Sequence, residues 1–455
     1  LLIAWTGNMI AAFSALFFVP RFRRIGITTV SEFLDQRYGL WLRLLTAVAW
    51  TLYYALFAGT AVYTLSVALE PVLNMPVNTL ILIIGGVVIL YCAFSGLVSV
   101  AYTAIIQSFL MILGGLILLP LSLKAVGGWT SFVEQVPPDL FVFWKSGNVW
   151  PNYKDIIMFT LLGFPYWCTS QYMLQRTFAG KTVEESSRGI TLAALLTGPL
   201  TLSYILPGIC GVLLFQGANA LDKADKVLPQ MIVQFMPAGL GGLFIAALVA
   251  ASNSTASSLL NSIATLVDHD FFRRFVPNKS PRFYIWVGRI ATVIGGLIGL
   301  SFALQVADLG IFQAVYKVMG FFEPPIFVLV ACALFWRFAN VWGAFLGLTI
   351  GFLFNVIYSG RGMHPADMAI IDFPLCLVCV VVGSLIGRYL SPETEEAQQR
   401  MTNCWCEPVA ESERTAPSRR KSALAGQSSL WQPSFCVRSL KSTFPSRETS
   451  SYLWA

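Results

Sequence analysis

AGLGGLFIAALVAASNSTASSLLNSIATLVDHDFF, running from Ala238 to Phe272, is apolar enough to cross a bilayer, yet it carries a line of small polar residues. Ala251, Ser254, Thr255, Ser258, Asn261, Ser262 and Thr265 recur at three- and four-residue steps and therefore share one face of a helix. Hydroxyls turned to lipid gain nothing, so the stripe faces other helices or a wet cavity. There it either hydrogen-bonds neighbouring helices or supplies oxygen ligands to a small hard cation. Taken alone, the stretch favours packing.

The surrounding chain is built for a membrane. It is 56% hydrophobic and only 12% charged, with a mean hydropathy of +0.69, far from a soluble domain of this length. Apolar runs of about 20 residues, the length that crosses a bilayer, repeat from the first residue to about residue 390. They predict about eleven spans, near 1–20, 41–69, 79–97, 103–123, 153–174, 189–215, 239–267, 284–305, 311–336, 341–358 and 369–390. The expected fold class is an all-α polytopic membrane protein. Alternating these spans gathers Arg21, Arg23, Arg24, Arg37, Arg176, Lys181, Arg188, Arg273, Arg274, Lys279, Arg282 and Arg337 on one side. The other side receives Lys124, Lys145, Lys154, Lys223, Lys226 and Arg361, so the first side is expected to be cytoplasmic. The net charge of +7 follows partly from these loops and the tail and points to no nucleic-acid partner.

Other features narrow the function by what they fail to build. Of nine cysteines, Cys92, Cys168, Cys210, Cys332, Cys376 and Cys379 fall within predicted spans, where cysteine acts as a small hydrophobe. Cys376 and Cys379 have CxxC spacing without a second pair or a nearby histidine, and Cys404 and Cys406 lie in the tail. His269 and His364 are expected in solvated loops. No Walker motif, metal-ligand cluster or nucleophile–base pair argues for an enzyme, and no cofactor is implied. The chain opens on LLIAW inside an apolar run, without a Met or a charged leader, which reads as a shortened start rather than a signal peptide. From Ser391 the composition turns to Ser, Arg, Glu and Pro, predicting a membrane domain over 1–390 and a disordered cytoplasmic tail over 391–455.

Several motifs, in order and at consistent spacing, resemble the sodium:solute symporter family, in particular its sodium/glucose-cotransporter-like branch. Thr29-Val-Ser-Glu-Phe-Leu-Asp-Gln-Arg37-Tyr-Gly39 is similar to its T-x-P-E-Y/F-L-x-x-R-Y/F-G signature, with Ser31 in place of Pro. Ser95-Gly-Leu-Val-Ser-Val-Ala-Tyr102-Thr103-Ala104 through Gln107 is similar to a second motif, with Ala104 where Asp is common. Tyr166-Trp167-Cys-Thr-Ser170-Gln171, followed by Gln175-Arg176, is similar to Y-W-x-T-D-Q-x-x-x-Q-R, with Ser170 in place of Asp. The hydroxyl stripe, Pro324-Pro325 and Trp342-Gly-Ala-Phe345 match later segments, so the resemblance covers about residues 1–390.

The resemblance implies a leucine-transporter-like five-plus-five inverted repeat, with solute and ion sites near the midplane. It aligns the first span with the second core helix, so the first core helix and the helix before it would lie upstream. It implies sodium as coupling ion, held by the carbonyl of Ala251 and the hydroxyls of Ser254 and Thr255. With neutral oxygens each ligand is weak, which lets a monovalent cation enter and leave. The missing carboxyl at Ala104 makes a second ion at that position unexpected. Ala4, Thr197 and Tyr316 stand where sugar transporters carry Glu, Lys and Gln, so glucose itself is not expected as solute. Tyr166 and Trp167, with Thr197 and Tyr316, are the expected substrate-binding positions, the aromatic pair capping a substrate face.

Two features remain open. Glu323, before Pro324-Pro325, is an intramembrane acid and hence a functional candidate; pairing with Lys317 would require local unwinding. Gly343, Gly347 and Gly351, and Gly295 with Gly299, repeat at four-residue steps suited to close helix contact. The implied function is sodium-coupled symport of a small organic solute at the cell membrane. A non-transporting sensor or scaffold that keeps the fold, and a passive channel, are the alternatives.

Overall fold

Backbone groups inside a bilayer must bond within their own segment, and the apolar runs accordingly become helices. The computed structural model describes residues 2–94, 97–138, 152–215, 224–307 and 310–390, and no strand occurs among them. In chain order the helices are α1 (Leu2–Phe17), α2 (Val19–Ile25), α3 (Val30–Tyr38), α4 (Leu40–Leu73), α5 (Val77–Phe94) and α6 (Leu97–Ala125). Next come α7 (Trp129–Gln135), α8 (Tyr153–Cys168), α9 (Gln171–Phe178), α10 (Val183–Leu214), α11 (Val227–Phe235) and α12 (Ala238–Leu266). A π-helical turn, Val267–Phe272, leads through α13 (Arg273–Phe275) to α14 (Pro281–Gln305), α15 (Ile311–Phe335), α16 (Val341–Gly360) and α17 (Pro365–Leu390).

Nine helices among the described residues are long and apolar enough to cross a membrane. The two further predicted spans are present in another form. α1 has 16 residues, and the expected single span 153–174 is broken between α8 and α9. At the break the N–H groups of Thr169 and Ser170 both turn back to the Pro165 carbonyl at 3.0 and 2.9 Å, and the regular ladder stops there. By contrast α15 runs unbroken through Pro324-Pro325, contrary to the unwinding that pairing with Lys317 required. Lys317 is exposed and Glu323 is buried, so the two are not partners.

The core sits around α4 and α15. Of their most apolar stretches 72% and 78% is buried, against 17% for α10, whose outer face carries Leu192, Leu195 and Leu196. Small residues set the closest approaches. A Cβ on Gly299 would stand 2.4 Å from the Ala55 carbonyl, and one on Gly343 would stand 2.3 Å from the Val380 carbonyl. These backbone contacts let α14 lie on α4 and α16 on α17, as the four-residue glycine spacing predicted.

The Thr29–Gly39 motif folds into a clamp. Thr29 caps α3 by accepting the Glu32 N–H at 3.0 Å, while Glu32 accepts the N–H of Thr28 at 2.7 Å, a capping arrangement written by the T-x-x-E spacing. Arg37 donates to the carbonyls of Trp336 and Arg337 at the end of α15. Gly39 then turns the chain into α4 at φ +91°, a conformation that a Cβ disfavours. Ser31, which replaces the family's proline, is fully buried in α3.

Candidate functional site: an oxygen stripe beside a broken helix

The stripe on α12 divides into two parts. Toward its C-terminal end Ser258 and Ser262 are buried, and Ser262 and Thr265 donate back to the carbonyls of Ser258 and Asn261 at 2.9 Å each. Such back-bonding satisfies hydroxyls within their own helix, and here the stripe serves packing. This half is held by α9: Gln175 donates to the Ser258 carbonyl at 3.2 Å, Arg176 donates to the Ser258 hydroxyl, and Asn261 donates to Gln175 at 3.4 Å.

Toward the N-terminal end the burial differs. Thr255 is exposed, Ala251 and Ser254 are half-buried, and the Thr255 hydroxyl donates to the Ala251 carbonyl at 3.2 Å, the same back-bond that Ser262 and Thr265 make, so it is exposure that sets this end apart. An exposed hydroxyl can leave such a back-bond, and with that carbonyl it then offers two neutral oxygens on one helical turn, the kind of donor a hard cation takes. Ser254 lies on the same turn; its carbonyl is occupied by Ser257 and Ser258 at 3.1 and 2.7 Å, leaving its hydroxyl as the group to offer. Neutral oxygens alone suit a monovalent ion that must also leave.

The predicted substrate residues separate into a cluster and an outlier. Tyr166 and Trp167 meet edge to face at 5.3 Å, and Tyr166 meets Tyr172 of α9 at 5.7 Å. Trp167 is fixed from α1: Ser14 donates to its carbonyl at 2.7 Å, and its indole nitrogen crowds Gly7. Tyr316 packs between Phe159 and Phe312 at 5.0 and 4.3 Å. Thr197, on α10, bonds its own helix at the Ala193 carbonyl at 2.7 Å and joins no member of the cluster by a hydrogen bond. The side chains of Ala4 and Ala104 lie outside the described residues, as does the tail from residue 391 with Cys404 and Cys406.

The α8–α9 break is pinned by residues that sequence reasoning had not selected. Gln171 donates its backbone N–H to Tyr54 of α4 at 2.7 Å, donates its side chain to the Thr28 carbonyl at 2.9 Å, and accepts the Val30 N–H at 3.0 Å. Two signature motifs are thus one structural unit. Below α12, Arg43 of α4 donates to Asp270 at 2.9 Å, to Asp35 at 2.9 Å and to the His269 carbonyl at 2.9 Å, and Thr29 donates to Asp270 at 3.0 Å. His269 is therefore half-buried in the π-helical turn rather than free in a loop, and His364 accepts the Ala366 N–H at 3.3 Å. The sequence signal for this lock was the acidic pair Asp268 and Asp270 closing an apolar span.

Bundled apolar helices, nine of them among the described residues long and apolar enough to cross a membrane, define a multi-pass helical membrane fold. The family whose sequence profile matches residues 1–351 is the sodium:solute symporter family, and the chain belongs to it. The chain is 28% identical to a sodium/glucose cotransporter of Vibrio parahaemolyticus over 83% of its own length and 75% of that relative. It is 27% identical to sodium/myo-inositol cotransporter 2 of Bos taurus over 75% of its own length, spanning 56% of that longer protein. In fold it is similar to a sodium-coupled sialic acid symporter in a substrate-bound outward-open state, with TM-score 0.73, 21% identity and coverage of 84% and 83% of the two chains. A nucleobase-cation-symport-1 family transporter in a closed conformation matches at TM-score 0.53 and 14% identity, covering 88% of each chain. The expected leucine-transporter-like helical class stands, and membership places the chain among carriers rather than enzymes.

Proposed function

We propose that this protein carries a small organic solute other than glucose across the plasma membrane, driven by sodium and by alternating access of the solute site to the two sides. The observation that carries the reading is the exposure of the Thr255 hydroxyl beside the Ala251 carbonyl, with Ser254 on the same turn, on the open part of α12. Tyr166, Trp167 and Tyr316 supply an aromatic wall for the solute, and Thr197 contributes from α10. In this reading residues 1–390 form the membrane domain, and 391–455 form a tail on the arginine-rich, cytoplasmic side.

The energetics suffice for one ion. A charge crossing about 100 mV supplies ~2.3 kcal/mol. A roughly tenfold sodium gradient adds about 1.4 kcal/mol. The sum supports about 500-fold accumulation of a neutral solute per ion. The test is uptake of labelled polyols, sugars, amino acids and carboxylates into proteoliposomes, in sodium against potassium. One solute accumulates in sodium only, and glucose neither accumulates nor competes with it. Saturable sodium-driven glucose uptake would refute the inference from Ala4, Thr197 and Tyr316. Solute binding without flux would instead support a sensor.

A further inference from the structure

Glu323 is fully buried in α15, in the middle of the bundle. Its Oε1 accepts the Tyr53 hydroxyl of α4 at 2.6 Å and the Ser170 hydroxyl of the α8–α9 break at 3.4 Å. Its Oε2 is buried without a hydrogen-bond partner, and no Lys or Arg among the described residues pairs with it. A carboxylate in that position carries a full charge in an apolar surrounding with half of its acceptor capacity unmet. The other buried acid of this part of the bundle shows what a settled structural carboxyl looks like. Asp372 of α17 has both oxygens met, by Asn355 at 2.7 Å and by Cys376 at 3.1 Å.

We propose that Glu323 is a proton-binding site: its carboxylate takes up one proton to become the neutral acid and gives it back as the surrounding helices move, making the proton a second coupling cation. Neutralisation removes the buried charge without requiring room for a desolvated metal ion. The groups facing Glu323 suit proton exchange and supply no counter-charge. Tyr53 of α4 and Ser170 of the break are its two donors, and behind Tyr53 the rings of Tyr54, Tyr172 and Tyr166 follow one another at 5.1, 5.8 and 5.7 Å. Charged groups on α15 and on the helices packed against it are engaged elsewhere or exposed: Arg43 with Asp35 and Asp270, Glu70 with Lys226, Lys154 with Asp367, Arg37 with the carbonyls of Trp336 and Arg337, Glu32 with the Thr28 N–H, Asp155 with the Asn152 N–H, Arg388 over the Phe338 ring, and Lys317 on the exposed face of α15. Ser170 links the site to the broken helix, since it stands where the family's pattern carries an acid. The carboxyl absent there in sequence is delivered to the same place by α15. A change in the position of the break relative to α4 and α15 alters both donors at once, and with them the proton affinity.

The uptake arm of the test rests on the symport reading; the spectroscopic arm does not. Infrared spectra of the full chain in membranes are titrated with pH, following the stretch of protonated carboxyl groups. The wild type shows a component that disappears with rising pH, and Glu323→Gln lacks it, whereas Asp372→Asn keeps it. Tyr53→Phe, which removes a donor favouring the charged form while keeping Glu323, moves the midpoint to higher pH by about one unit, tenfold in proton affinity. In proteoliposomes with equal sodium on both sides, an inward proton gradient drives solute uptake in the wild type and not in Glu323→Gln. A titrating component unchanged in Glu323→Gln and in Tyr53→Phe overturns the proposal, and so does its loss on adding sodium at constant pH, which would place sodium there. Absence of uptake in every condition contradicts the symport reading, and the infrared titration then decides the proton site by itself.

Discussion

At Thr255 a single hydroxyl separates two uses of the same stripe. Ser258 and Ser262, a turn or two further along, are buried, while Thr255, bonded back to the Ala251 carbonyl in the same way, is exposed and free to exchange that bond for an ion in the proposed reading. Thr255→Val keeps the shape and removes one ligand oxygen. It is expected to weaken sodium activation of uptake at least tenfold, about 1.4 kcal/mol, with the amount of folded protein unchanged. An unaltered sodium dependence would remove Ala251, Ser254 and Thr255 from the site. The stripe itself was legible in the sequence because helical periodicity places its members on one face. Its division was not, since which half is covered depends on α9, whose Gln175 and Arg176 arrive from a distant part of the chain. Tyr53 and Tyr54 were invisible for the same reason: two tyrosines in an apolar run acquire meaning only when Glu323 and Gln171 come to meet them.

At the scale of elements, the spans at 41–69, 79–97, 103–123, 189–215, 239–267 and the four that follow were readable from length and hydropathy. The break at Thr169-Ser170 was not read, because Pro165 within a predicted span is compatible with a kink as well as with a stop. What the break achieves is seen in its ties to Thr28, Val30 and Tyr54, which make α3, α4 and α9 one body. The lock at the other end of α12 is similar in kind. Arg43 has 10% of its side chain exposed and Asp270 none, so the pair is effectively buried. Removing one partner leaves an uncompensated charge, and Arg43→Ala is expected to destabilise the fold by about 3–5 kcal/mol. Thermal unfolding in detergent measures this. The double change Arg43→Met with Asp270→Leu should recover part of the loss, because it leaves no fully buried orphaned charge, only the more exposed Asp35 without its partner. Unfolding of Arg43→Ala at the wild-type temperature would show that the lock holds nothing.

For the molecule as a whole, α9 ties the packed half of the α12 stripe, one turn from Thr255, to the aromatic cluster at the α8–α9 break. Gln175 and Arg176 reach the stripe while Tyr172, on the same helix, packs against Tyr166. Movement of ion and solute is then expected to be mutually dependent rather than parallel. Radiolabelled sodium entry into proteoliposomes, measured alone and with each solute that accumulates in sodium, tests that claim most directly. Such a solute is expected to accelerate sodium entry, and Thr255→Val to abolish the acceleration. Sodium entry that is indifferent to every solute, or solute entry that proceeds equally in potassium, would contradict that claim.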